Sequence, residues 1–159
     1  MSLEKVKTHF AAFGLEDRVV DLAESSATVA LAAKAIGCGE ARIAKTLSFL
    51  IGEEPILIVA AGDAKVDNHK FKETFHTKAK MIPGADCETY LGFRPGGVCP
   101  FGLPVPVAVW LDVSLRRFDI VYPAAGTDHS MVRLSLPELE TCANARGWVD
   151  VCKNWQAEP

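Results

Sequence analysis

The sequence predicts an α+β fold, a compact single domain (residues 1–159) in which a mixed, mainly antiparallel β-sheet is flanked by helices. Three observations lead there. Apolar runs of strand length mix irregularly with short amphipathic helices, without the strict strand–helix–strand rhythm of a doubly wound fold. Two of those runs, 43–51 and 55–62, are separated only by a Gly-containing turn, which is a hairpin signal. The chain has 159 residues, 49% hydrophobic and 23% charged, enough for one real core, and no repeat or long linker divides it.

Each element has a local reason. Residues 3–13 place Leu3, Val6, Phe10 and Phe13 at helical spacing, and Gly14 is a natural stop. A short strand follows at 18–22. "SSATVALAAKAIGCG" reads as a helix with Ser or Thr at its cap, ending near Gly37. The strand containing Lys45 and "PILIVAAG" then form the hairpin, through a turn at 52–55. "VDNHKFKETF" is a helix capped by Asp67, and "GADCETYLGF" is a second, shorter one. After a Gly/Pro-rich loop at 94–106, "VPVAVWLDV" and "FDIVYPAAG" are strands joined by a turn at 114–117. "MVRLSL" is a strand, "PELETCANA" a helix with Pro137 in its first turn, and "WVDVC" a last strand or extended tail.

Composition excludes several function classes. No apolar run approaches the roughly 18–20 residues that span a bilayer, so no membrane partner is expected. The charged N-terminal stretch carries no cleavage-type signal, and the five cysteines form no C-x-x-C pair, which fits reduced thiols and a cytoplasmic location. None of the four histidines completes a zinc pattern with them, so neither metal nor other cofactor is expected. A formal charge of −3 argues against gripping DNA or any nucleic acid with the whole surface. Residues 65–80, however, carry Lys65, Lys70, Lys72, Lys78 and Lys80 and a net charge of +3, leaving −6 for the rest. That stretch is either a solvated helix face or a local phosphate-contacting patch.

Three places could carry chemistry. In "ARIAKTLSFLI", alternation puts Lys45 in the apolar row of Ile43, Leu47 and Phe49, with Thr46 and Ser48 opposite. Its ammonium either snorkels to water at a strand end or faces a cleft, where it would hold an anion and feel desolvation. The loop "RPGGVCPFGLPVP" has three glycines and four prolines, and a rigid loop with outward N–H groups suits an oxyanion hole. Cys99 within it is either a thiol nucleophile or a small buried residue. In "AAGTDHS", Asp128 and His129 are either acid/base groups or turn residues.

Together "IAKTLSF" (43–49), "GGVCPFG" (96–102) and "VYPAAGTDHSMVRLSL" (121–136) resemble, in order and spacing, the YbaK/ProX-type aminoacyl-tRNA deacylases. These include the editing domain of bacterial prolyl-tRNA synthetases and its free-standing relatives. The resemblance implies that family's α+β fold around one pocket, and hydrolysis of the ester joining a wrong amino acid to the 3′ end of a tRNA. Lys45 matches the essential lysine, and Gly96, Gly97 and Pro100 match the G-x-x-x-P loop whose amides contact the substrate. Thr46, Val98, Cys99, Phe101, Gly102, Gly126, Asp128 and His129 are the implied substrate-binding positions. The implied partners are the aminoacyl-tRNA 3′ end and, in addition, a prolyl-tRNA synthetase. The shortlist of edited residues is cysteine, alanine or another small side chain on tRNA(Pro). Two departures leave that choice open: the polar residues at 127–130 vary among relatives, and "LAESS" stands where some carry a tyrosine. The rival readings are a non-catalytic module that binds the aminoacyl-tRNA end or a synthetase, and a thiol hydrolase using Cys99.

Overall fold

The apolar run around Lys45 and the one after it fold back on each other through Gly52, whose φ of 64° favours glycine. They form β2 (Ile43–Ile51) and β3 (Glu54–Ala61), antiparallel from Ala44 opposite Ala61 to Ile51 opposite Glu54. The computed structural model describes residues 3–92, 98–103 and 106–155.

Ahead of the hairpin lie α1 (Leu3–Ala11), β1 (Val19–Asp21) and α2 (Val29–Ile36). Thr28 caps α2 by accepting from Leu31 N at 3.2 Å, and Gly37 closes it in the left-handed region. After the hairpin come β4 (Lys65–Val66) and α3 (Asn68–Phe75), whose first amides are held by the Asp67 carboxylate. Then follow α4 (Cys87–Leu91), β5 (Ala108–Asp112), β6 (Ile120–Pro123), β7 (Ser130–Val132) and β8 (Leu134–Ser135). A capping box between Ser135 and Glu138 starts α5 (Leu136–Cys142), and β9 (Gly147–Val149) and β10 (Cys152–Lys153) complete the described chain.

The main sheet has the order β8-β6-β2-β3-β5-β9, while β1 pairs with β7 and β4 with β10. Four of the seven strand pairings among the described residues are antiparallel, two of them within the main sheet, so the β-structure is mixed and mainly antiparallel as expected. Two details differ from the reading along the chain. The strands flanking 114–117 are not neighbours: a 3-10 segment, Val113–Arg117, carries the chain across, and β5 and β6 lie on opposite sides of the hairpin. "MVRLSL" is also two strands, because the chain changes partner at Arg133, whose amide donates to Arg18 O at 3.2 Å.

The core gathers on both faces. Val6 and Phe10 of α1 are fully buried, with the Phe10 ring 4.6 Å from that of Phe101. Phe49 of β2 meets Phe71 of α3 at 4.9 Å. Ala32 and Ala33 of α2 pack with Ile43 and Met131 in a second, smaller cluster. Ile43 and Lys45 share a face by alternation, so Lys45 lies on the side that α2 covers.

Candidate active site

Strand β2 has a partner along one edge only in part. With β6 it pairs solely at Ile43 and Ala44. Farther on, Ser48 O accepts from Ile82 N at 3.0 Å and Leu50 N donates to Lys80 O at 2.9 Å. Even-numbered residues therefore turn their backbone groups to this edge, and the period of two places the Thr46 N–H and C=O there as well. Thr46 falls between the end of β6 and the 80–82 segment, so among the described residues the edge has a gap beside it.

A cavity of about 250 Å³ occupies that gap. Residues of both parities in β2, from Ile43 to Ser48, line it, so it wraps the strand edge rather than lying on one face. Ala27, Thr28 and Val29 bring the N-terminal end of α2 to it, and Met81, Val98 and Ala124 close other sides. The partial positive charge of a helix N-terminus and the Lys45 ammonium make the cavity electropositive. Among the described residues, Lys45 and Cys87 are its only titrating side chains.

Lys45 Nζ donates to Ala64 O and, at 3.4 Å, to Gly62 O, both just past the end of β3. Burial lowers its pKa below the ordinary lysine value, and the nearby Asp63 carboxylate works in the opposite direction. The carbonyls are held in place in turn. Arg117 grips Asp63 with two hydrogen bonds, of 2.9 and 2.5 Å, and donates to Trp155 O at 2.8 Å. The Arg117 guanidinium is the main reason that the Asp63 carboxyl lies below the usual carboxylate range. Gly62 is packed so closely that a Cβ would fall 2.0 Å from Glu40 O and 2.7 Å from Val29 Cγ1. A lysine with two backbone acceptors keeps one donor direction for a ligand.

The other expected positions spread out. Thr46 and Val98 line the cavity with Lys45. Gly96 and Gly97 lie outside the described residues. Cys99 is fully buried, bonds weakly to Phe101 O at 3.6 Å, and burial pushes its thiol up to about 12. That removes the thiolate a nucleophile needs near neutral pH. Phe101 belongs to the core beside Phe10 and His9. Pro100 and Gly102 line a separate cavity of about 300 Å³ with His9, whose Nε2 donates to Cys142 O at 2.6 Å. Gly126 is buried, with a φ of 95° that favours glycine, and follows cavity-lining Ala124 closely.

Asp128 and His129 sit on the outer side of their turn. His129 Nδ1 is 3.0 Å from Asp128 Oδ1 and Nε2 is 3.5 Å from Asp21 Oδ1. The hydrogen bond to Asp128 raises the pKa of this exposed imidazole. The turn touches the site through its backbone: Asp128 O accepts from Ser26 N at 2.6 Å, and Ser26 lines the cavity. Asp63, Arg117 and Ser26 had no signal of their own in the sequence. Ser26 stood in a Ser/Thr run that reads as a helix cap, and the other two act through tertiary contacts.

No three His, Cys, Asp or Glu side chains gather as metal ligands among the described residues, and none of the helices there is long and apolar enough to cross a membrane.

Comparison with known proteins bears on the fold and the family. Residues 23–142 match the family model described as "Aminoacyl-tRNA editing domain". The uncharacterised protein YwhH of Bacillus subtilis (strain 168) is 48% identical over 157 residues, covering 98% of this chain and 100% of that protein. A crystal structure described as a candidate trans-editing enzyme for prolyl-tRNA synthetase superposes with a TM-score of 0.86 at 26% identity, over 96% of this chain and 99% of the other. That of the hypothetical protein APE2540 superposes with a TM-score of 0.83 at 26% identity, over 94% and 99%. The shared α+β architecture and the family match over most of the chain lead to one assignment: this chain belongs to the aminoacyl-tRNA editing-domain family.

Proposed function

We propose that the whole chain acts as one editing unit, a deacylase that works in trans on mischarged tRNA. Its substrate is the ester of a small amino acid, cysteine or alanine foremost in the family's shortlist, on tRNA(Pro). The single observation that carries this reading is the anchored, half-buried Lys45 ammonium beside a small cavity at a gap in the sheet. Ester hydrolysis builds negative charge on the carbonyl oxygen, and a fixed cation in a partly dry site stabilises that charge. The Thr46 N–H at the open edge is a second donor in reach of the same region.

Water adds to the ester carbon and the bond to the ribose oxygen breaks. One water proton ends on that oxygen, so the products are the free amino acid and the uncharged tRNA. The described lining contains no carboxylate or imidazole to act as base. The vicinal ribose hydroxyl of the substrate is the group that relays the proton in this proposal. A cavity of this size admits small side chains and excludes large ones by shape, which suits an editing site.

A screen of tRNAs carrying different amino acids, with Lys45→Ala as control, tests the reading. Release of a small amino acid from tRNA(Pro) by the wild type supports it; tight binding with no hydrolysis of any ester would favour a binding module instead. The pH dependence has a definite sign. A lowered pKa means that Lys45 loses its charge at lower pH than an ordinary lysine. Enzymatic hydrolysis, corrected for the spontaneous alkaline reaction, is therefore expected to fall with a midpoint below 10.5. A rate that rises through that range would contradict a role for the ammonium.

The basic segment supplies the surface for the nucleic acid in this reading. Lys72, Lys78 and Lys80 are exposed, and Lys80 directly precedes Met81 at the cavity wall. Replacing all three by Gln is expected to weaken tRNA binding and to flatten its salt dependence by about two to three in log–log slope. Filter binding across a salt series checks this.

A further inference from the structure

Lys45 has a carboxylate for a neighbour and does not pair with it. Its Nζ takes the backbone oxygens of Gly62 and Ala64, the residues on either side of Asp63. The Asp63 carboxylate pairs instead with Arg117, at 2.5 Å from Nη2. It is near enough to act on the Lys45 charge, and the ammonium acts on the carboxyl in return. A half-buried ammonium beside an unengaged carboxylate closes an ion pair, because the attraction grows as solvent is excluded. Something at this site prevents it.

The geometry of Arg117 supplies the reason. Its fork occupies both Asp63 oxygens, Oδ2 accepting from Nη1 at 2.9 Å and Oδ1 from Nη2. The guanidinium is fixed on its other sides as well. Nε donates to Ser114 O at 3.0 Å, and Nη1 donates also to Trp155 O at 2.8 Å. Its central carbon lies 5.0 Å from the Phe118 ring centre and 5.2 Å from that of Trp155. The segment that carries Arg117 is tied to the end of β3, where Ala61 N donates to Ser114 Oγ at 3.1 Å. Asp63 cannot swing towards Lys45 without leaving this clamp. Lys45 is thus held by neutral carbonyls, which fix its position and leave its charge uncompensated at contact distance.

We propose that Arg117 is a positioning residue for Lys45: by taking both oxygens of Asp63, it keeps the carboxylate off the ammonium and leaves that ammonium open to the cavity. The inference rests on the deacylase reading for what the ammonium stabilises, and on the clamp alone for where the ammonium stays. Without Arg117 the carboxylate is free to pair with Lys45, and a developing oxyanion then competes with a resident anion. The other groups that act on the Lys45 charge are the Cys152 thiol of β10 and the Lys65 ammonium of β4, and Cys87 lines the same cavity. All three are unchanged in the variants that test the proposal.

Arg117→Gln, Arg117→Lys, Asp63→Asn and the double variant Arg117→Gln/Asp63→Asn are compared with wild type in single-turnover deacylation across pH. The Lys45 ε-methylene is titrated by NMR in the same proteins, assigned by its absence from Lys45→Ala. Arg117→Gln is expected to slow hydrolysis about tenfold at neutral pH, part of the loss that follows removal of an oxyanion stabiliser. Its alkaline fall and the Lys45 titration should both move to higher pH, because a carboxylate in contact favours the charged lysine. Removing the carboxylate as well should restore most of the lost rate and reverse the shift, since an amide offers Lys45 no charge to pair with. A merely structural role for Arg117 would leave the double variant as slow as the single one. That outcome, or a Lys45 titration unmoved in Arg117→Gln, would overturn the proposal. Should Arg117→Gln not fold, Arg117→Lys decides on the same readouts, since an ammonium lacks the fork that holds both oxygens. If the wild type cleaves no ester, the deacylase reading fails, and the Lys45 titration still decides whether Arg117 restrains Asp63.

Discussion

Lys45→Ala is expected to slow aminoacyl-ester hydrolysis by about 10²–10³-fold, the usual cost of removing one preorganised stabiliser of a developing oxyanion. Stability should change by no more than about 1 kcal/mol, because the lost hydrogen bonds are offset by relief of a desolvated charge. Lys45→Met separates charge from packing. It keeps an unbranched stem along the face shared with Ile43 and should be as inactive as the alanine variant. Single-turnover deacylation with thermal denaturation on the same samples checks both parts. Retained activity in the methionine variant would assign the role of Lys45 to its stem.

The second large effect is structural. Asp112 is completely buried at the end of β5, and its two oxygens accept from Ser114 N and Val151 N, both at 2.9 Å. One bond starts the segment that carries Arg117; the other pins the strand before β10. Asp112→Ala leaves two buried amides without acceptors, a loss of about 2–6 kcal/mol at roughly 1–3 kcal/mol for each group. Asp112→Asn keeps one oxygen and should lose about half as much. Urea denaturation of the two variants gives the comparison. A loss below about 1 kcal/mol for the alanine variant would mean that both amides find other partners.

Much of the scaffold could be read residue by residue. Thr28 and Gly37 bracket α2, Asp67 caps α3, and Gly52 turns the hairpin, because each acts on its own few neighbours. Lys45 stood out because a charge in an apolar row breaks a period-2 pattern. The order of strands was not legible: β5 and β6 are consecutive, yet alternation says which face a side chain takes and not which strand lies beside it. The gap next to Thr46 among the described residues is invisible for the same reason, since β6 stops pairing with β2 after Ala44. Anchors for Lys45 are backbone carbonyls of Gly62 and Ala64, and a carbonyl leaves no mark on a sequence. Phe101 shows the opposite problem: the resemblance implied a substrate-binding position, whereas its ring is buried in the core beside Phe10 and His9.

The most direct measurement is a crystal structure of the protein with an alanyl adenosine joined through a 3′-amide in place of the ester. The account predicts the aminoacyl group in the gap beside Thr46, with its carbonyl oxygen within about 3 Å of Lys45 Nζ. An analogue bound in the separate cavity beside His9 and Pro100, with Lys45 still turned to Gly62 and Ala64 alone, would contradict it.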